Sequence, residues 1–199
     1  MCIRFVYRGD DIITGFNFDI DPAVWDHQIV TAPDRFYLGI LRPDGLRHGY
    51  HGVHQNGNTG TLLYVHGPSG RYQAGSDALT ISDLTEQFIQ AQISWEEALS
   101  IVQTKKIVYA PDATMQAVLS DRYGRTLLIE PGIGSRVDTG TYSLMANASL
   151  LSPESTRPWL LPGDNRYEKA AQLLAKQGRR FSVSDAFAIL RAVRQEGLW

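Results

Sequence analysis

The chain has one cysteine, at position 2 of MCIRFVYRGDDIITGFNFDID. A thiol is mostly protonated at neutral pH and becomes a nucleophile only when a base takes its proton. At an N-terminus that base can be the residue's own α-amino group, which titrates at about 7.7–8.0. Removal of Met1 alone would place nucleophile and base on one residue, as in the N-terminal-nucleophile variants of the catalytic triad. Such a site also needs a carboxylate to hold the amine and donors for the oxyanion of a tetrahedral intermediate. Asp19 is the first candidate. Residues 2–8 and 12–20 read as strands that pair across the Gly9-Asp10 turn, which returns Asp19 to the side of Cys2. The competing readings are a small buried hydrophobe for Cys2 and a plain strand end, before the acidic loop DIDPAVWD, for Asp19.

Other constellations are weaker. His48, His51 and His54 recur every third residue, but no Asp, Glu or Cys nearby completes tetrahedral zinc spacing, so no metal is expected. On a strand, 48 and 54 share a face and 51 points away. Gly132-Ile133-Gly134 reads as a turn rather than a dinucleotide loop, because no helix follows it. Phe5, Phe16, Phe18, Trp25 and Tyr37 could line an apolar pocket, although core packing claims strand aromatics more often than ligands do.

The elements that must carry these residues are strands first. CIRFVYR, IITGFNFDI and RFYLGILR mix β-branched and aromatic residues between turn residues, and Asn56-Gly57 marks a hairpin leading into TLLYVHG. LTISDLTEQFIQAQ places Leu84, Phe88 and Ala91 at helical spacing, and Ser94 with Glu97 is a capping box for a second helix to about Thr104. Strands resume at KIVYA, in MQAVLSDRYGRTLLIEP with a turn over 121–124, and at TYSLMANASLL. Asp164 or Asn165 can cap RYEKAAQLLAKQ with Gly178 as its stop. Ser182 with Asp185 opens VSDAFAILRAVRQE, whose Phe187, Leu190 and Val193 form one stripe. Strands, helices, strands, helices without strict alternation predict an α+β fold with antiparallel sheets, in one domain over 1–199.

Composition excludes several classes. Of 199 residues 43% are hydrophobic and 20% charged, with a net charge of −2, so neither disorder nor a nucleic-acid or anionic-lipid partner is indicated. No apolar run is long enough to span a bilayer, and charges break the N-terminal stretch where a leader would be apolar; the expectation is a cytoplasmic protein. One cysteine forms no internal disulfide.

Against that background the sequence resembles the choloylglycine hydrolase and penicillin V acylase family, Ntn hydrolases that cleave linear amide bonds. The resemblance rests on Met1-Cys2, on Gly15-Phe16-Asn17-Phe18-Asp19 and on Gly52-Val53-His54-Gln55-Asn56-Gly57-Asn58 before GTLLYV. It continues through VLSDRYGRTLLIEPGIGSRVDTGTYSLMANAS and LPGDNRYEKAAQLL, in order over most of the chain. It implies a four-layer αββα sandwich, shortened at its C-terminal end, and a cofactor-free amidohydrolase working through a thioester. Cys2 would be the nucleophile, Asp19 the amine's acceptor, Tyr64 and Asn147 the oxyanion donors and Arg166 a positive charge favouring thiolate. Phe16, Phe18 and Trp25 would be substrate-binding. Bile-salt conjugates, penicillin V and N-acyl amino compounds fit equally as the small-molecule substrate, and a homo-oligomer is left open. Where the family keeps an arginine in the second strand this chain has Phe16, while alternation puts Arg4 and Arg8 on the face of Cys2. An inactive member that binds a ligand or partner, and acyl transfer to another amine, remain alternatives.

Overall fold

Alternation along the first strand divides the molecule. In β1 (Cys2–Arg8), Ile3, Phe5 and Tyr7 pack with Ala170, Leu174 and Ile189 from helices and with Phe181 from the connection between them, while Cys2 and Val6 pack with Leu63, Val118 and Leu128 from other strands. One strand thus serves two cores, the requirement for a sheet covered by helices on one face and by a second sheet on the other. The structure, a computed structural model, describes residues 2–21, 23, 25–65, 78–110 and 113–195. Met1, the end of the strand read at 66–67, and residues 196–199, of which Glu196 ends the last helix reading, lie outside them.

The smaller sheet has the order β12-β1-β2, with β2 at Ile12–Phe18 and β12 at Tyr142–Met145. All its pairs are antiparallel, and Cys2 stands opposite Phe18, Arg4 opposite Phe16 and Phe5 opposite Gly15. Gly15 is required there, because a Cβ would lie 2.3 Å from the Phe5 ring. The seven-stranded sheet, also antiparallel, runs β11 (Gly134–Asp138), β10 (Thr126–Glu130), β9 (Met115–Ser120), β6 (Thr59–Tyr64), β5 (Arg47–His54), β4 (Arg35–Leu41) and β3 (His27–Thr31). A short parallel pair, β7 (Ala78–Thr80) and β8 (Lys106–Val108), completes the strands described.

Helices α1 (Ile81–Ile89) and α2 (Trp95–Thr104) cover the outer face of the large sheet, with Leu84, Phe88, Trp95 and Ala98 buried against Leu62, Ala117 and Leu127. Beyond α3 (Pro153–Thr156) and a 3-10 turn, α4 (Arg166–Ala175) and α5 (Val183–Ala192) cover the small sheet. The layers are therefore helix, sheet, sheet, helix, as expected. Both capping boxes are formed, Ser94 with Glu97 and Ser182 with Asp185.

Three local readings need correction. Helix α1 ends at Ile89, and Ala91, expected on its stripe, sits beyond the end at φ 54°. Phe187, expected on the buried stripe of α5, is 57% exposed; the buried positions are Ala186, Ile189 and Val193, because α5 lies on β2 rotated by about one residue. Phe5 turns toward Phe181 under the helices, which removes it from any pocket on the Cys2 face.

The hairpin joining β5 to β6 has its predicted turn, with Gly57 at φ 94° and a virtual Cβ only 2.4 Å from Arg122 Cβ. Both conformation and space exclude a side chain. Gly57→Ala is expected to lower stability by roughly 1–3 kcal/mol, read as a shift in the urea midpoint at unchanged slope.

Candidate active site

The site assembles where the first strand begins. The backbone nitrogen of Cys2 donates to Asn147 Oδ1 at 2.8 Å, and Asn147 Nδ2 donates to the main-chain oxygen of Tyr64 at 2.6 Å. Asn147 lies two residues past the end of β12, where the chain leaves the small sheet, and Tyr64 is the last residue of β6 in the large one. One amide side chain thus ties together the ends of both sheets and the start of the chain.

Arg166, first residue of α4, closes the cluster from the helical side. Its Nη2 donates to Asn147 Oδ1 at 3.1 Å and its Nη1 to the Cys2 carbonyl at 3.4 Å. The guanidinium is 5% exposed and held by Asp164, whose carboxylate accepts from Nε and Nη2, each at 2.8 Å. Asp19 Oδ2 lies 3.7 Å from Nη1. Such geometry fixes the fork, because two carboxylates and two carbonyl-type oxygens leave it little rotational choice. Of the two candidate caps, Asn165 holds the N-cap position but makes no side-chain cap bond, and it is Asp164 that accepts from the Arg166 amide, at 3.3 Å.

Electrostatics of the cluster favour neutral over charged thiol. Cys2 is 2% exposed, and burial pushes its pKa up to about 11, with Arg166 and the backbone amide of Asp19 pulling the other way. Burial likewise raises the Asp19 carboxyl, against the pull of Arg166. For stability the thiol's sign is definite. The unfolded thiol titrates near 9.0 and the folded one near 11, so the stability it contributes is complete below the first value. That contribution falls as pH rises through about 9 to 11, by about 2–3 kcal/mol. Urea unfolding of wild type and Cys2→Ala at pH 8 and pH 11 should show their difference shrinking or reversing accordingly.

The other expected residues divide. Tyr64 is present through its carbonyl, while its hydroxyl accepts from Arg42 Nη1 at 3.3 Å. Arg42 also lines a cavity of about 320 Å³ with Tyr50, His48, Thr80, Ser82 and Ala110, which therefore begins one side chain from Tyr64. Trp25 packs on the Tyr64 ring with centroids 5.7 Å apart. Phe18 lies across the ladder from Cys2 and contacts Tyr50. Phe16 is stacked on His51 at 4.6 Å in the space between the sheets, where it fills core volume.

The three histidines separate. His51 is half-buried with Nδ1 2.8 Å from Thr61 Oγ1, and desolvation together with Arg4 lowers its pKa to about 3; His48 meets Asp44 and His54 meets Asp34. Arg4 is inside as well, with no exposed surface, and donates to Thr61 Oγ1, Ser120 Oγ and the Phe5 carbonyl, all uncharged. Arg8 instead clamps the far end of the sheets through Gly124, Thr126, Asp138, Gly140 and Ser143.

Two supports escaped the sequence. Asp164 was visible only as a cap, and its hold on the Arg166 fork needs the fold to be seen. Glu130, at the end of β10, accepts from Ser149 Oγ and from the amides of Leu150 and Leu151, fixing the loop that follows Asn147. A buried carboxylate at the end of an otherwise apolar strand, TLLIE, was the available signal.

Solved structures share this architecture. Penicillin V acylase from Agrobacterium tumefaciens matches with a TM-score of 0.59 at 19% identity, over 96% of this chain and 71% of that one. A mutant of conjugated bile acid hydrolase from Clostridium perfringens matches with a TM-score of 0.66 at 14% identity, over 97% and 79%. The Caenorhabditis elegans ortholog of N-acylethanolamine-hydrolyzing acid amidase matches with a TM-score of 0.62 at 14% identity, over 95% and 85%.

The chain has the Ntn-hydrolase fold.

No protein-family model matches the sequence, and a search of curated proteins finds no match. Within the Ntn-hydrolase fold the cluster occupies one end of the two packed sheets, where β1 begins and β6 ends. No helix among the described residues is long and apolar enough to cross a membrane.

Proposed function

We propose that the protein is an N-terminal-cysteine amidohydrolase that cleaves the linear amide C–N bond of an N-acyl substrate. The observation that carries this reading is the hydrogen bond from the Cys2 nitrogen to Asn147 Oδ1, with Arg166 on the same oxygen. If Met1 is removed, that nitrogen becomes an α-amine already held by an acceptor, beside the thiol it must deprotonate.

The reaction then runs in two halves. Cys2 Sγ adds to the amide carbon while the α-amine takes the thiol proton, and the oxyanion forms. The C–N bond breaks as the amine passes that proton to the leaving nitrogen, leaving a thioester. Water, deprotonated by the same amine, adds to the thioester; the carboxylic acid leaves and the thiol is restored. The raised pKa of Cys2 suits this order, because the proton stays on sulfur until a base is in place. Asn147 holds the amine, with Asp19 close by through Arg166. The donor this reading assigns to the oxyanion is Asn147 Nδ2, which donates to the Tyr64 carbonyl while no substrate competes for it. The cavity beside Arg42 and Tyr50 is the space for one arm of the substrate, with Phe18 and Trp25 near its approach.

The solved neighbours act on penicillin V, conjugated bile acids and N-acylethanolamines by their names, and all three are N-acyl amides. The burial of Cys2 favours one rival, a non-catalytic domain that binds an amide-like ligand. Intact mass spectrometry separates the two. A protein lacking Met1 that gains the mass of an acyl group from an N-acyl amide supports the hydrolase. A protein that retains Met1 and gains no mass overturns it.

A further inference from the structure

Asn147 is held on its side-chain atoms by the chain start, Tyr64 and Arg166, but something must also hold its backbone. β12 ends at Met145, so residues 146–148 have no ladder of their own. Across the interior stands Gln116, on β9, with no exposed surface. It occupies the face that carries Val118 and lies opposite Leu63, both packed with Cys2. In the run MQAVLS it is the one amide on a face otherwise built from apolar groups near the site.

Its Nε2 donates to the Ala146 carbonyl at 2.6 Å and to the Ala148 carbonyl at 3.2 Å, the peptides on either side of Asn147. Its Oε1 is buried and has no hydrogen-bond partner among the described residues. The orientation is not exchangeable, since rotating the amide would set Oε1 against two carbonyl oxygens. A side chain selected for packing alone would be leucine or methionine. This one spends both donors on two backbone oxygens and leaves its own acceptor unsatisfied, which is costly in a dry interior.

We propose that Gln116 is a positioning residue for the reaction: it fixes the backbone on both sides of Asn147 and so sets where Oδ1 meets the Cys2 nitrogen. The proposal rests on the amidohydrolase reading for its catalytic consequence, though not for its structural one.

The test uses the full chain with Gln116→Met, which keeps the volume and removes both donors, and Gln116→Glu, which keeps the shape. Hydrogen exchange followed by ¹⁵N NMR reads the Asn147 side-chain amide against the backbone amides of Leu63 and Val118. The expected result is exchange at Asn147 faster by about tenfold or more, with the two core amides within about twofold of wild type. With an N-acyl amide substrate, kcat is expected to fall about 10–100-fold while KM stays within about threefold, the mark of lost alignment rather than lost binding. Unchanged exchange at Asn147, or acceleration spread equally over Leu63 and Val118, overturns the proposal. So does an unchanged kcat in a wild type that turns over. A wild type that turns over no N-acyl amide overturns the hydrolase reading instead, and the exchange measurement then decides on Gln116 by itself.

Discussion

An N-acyl amide that wild type cleaves is expected to survive intact with the Cys2→Ala protein, a loss of roughly 10⁴-fold or more in kcat. Among the described residues no second thiol or hydroxyl makes a hydrogen bond with Cys2, whose neighbours are Asn147, Arg166 and Asp19. The side chain is small and the site is shielded, so the variant should keep its fold, as circular dichroism and an unchanged urea slope would show. Cys2→Ser is the sharper companion. A hydroxyl has a far higher pKa than a thiol, so acylation slows and any ester formed becomes visible by mass. Amine release by Cys2→Ala at the wild-type rate would remove the thioester from the mechanism.

The second large effect belongs to Asn147→Leu. This change deletes the acceptor of the Cys2 nitrogen and of Arg166, together with the donor to the Tyr64 carbonyl. Every partner is left in a closed environment, since Asn147 itself is 1% exposed. Loss of one such preorganised contact typically lowers kcat by about 10²–10³-fold, and the stranded polar groups should lower stability by about 2–4 kcal/mol. Asn147→Asp separates the parts. It retains acceptors for the nitrogen and for Arg166 but places an oxygen against the Tyr64 carbonyl. Its rate should therefore lie between wild type and the leucine variant. An Asn147→Leu protein of full activity would mean that the amine needs no acceptor here.

Much of this arrangement was legible in the chain because it depends on local chemistry. The turn at Gly9-Asp10 sets the β1–β2 pairing, and that pairing alone brings Asp19 near Cys2. Ser94 and Ser182 announce helix starts, since their hydroxyls and the acids three residues on satisfy orphan amides wherever they occur. What stayed hidden depends on distant partners. β3, HQIVT, is an exposed edge strand without alternation, and β7 is only three residues long. The role of Arg166 could be borrowed from a resemblance, but its reach to Asn147 and the Cys2 carbonyl is set by how α4 lies on β12. Gln116 gave a faint signal, the one amide in a largely apolar strand. Nothing local says that its donors point at positions 146 and 148. Phe187 misled for the same reason: periodicity gives a helix its stripe, and only the neighbouring sheet chooses which way the stripe faces.

Arg4 and Phe16 face one another across the ladder, one a shielded cation with uncharged partners and the other stacked on a histidine. The two positions are consequently coupled in charge. An arginine introduced at 16 alone would put like charges on directly opposed strand positions in a water-poor layer, which is destabilising. Moving the cation from one strand to the other is therefore expected to cost less stability when both residues are exchanged together than when an arginine is added at 16 alone.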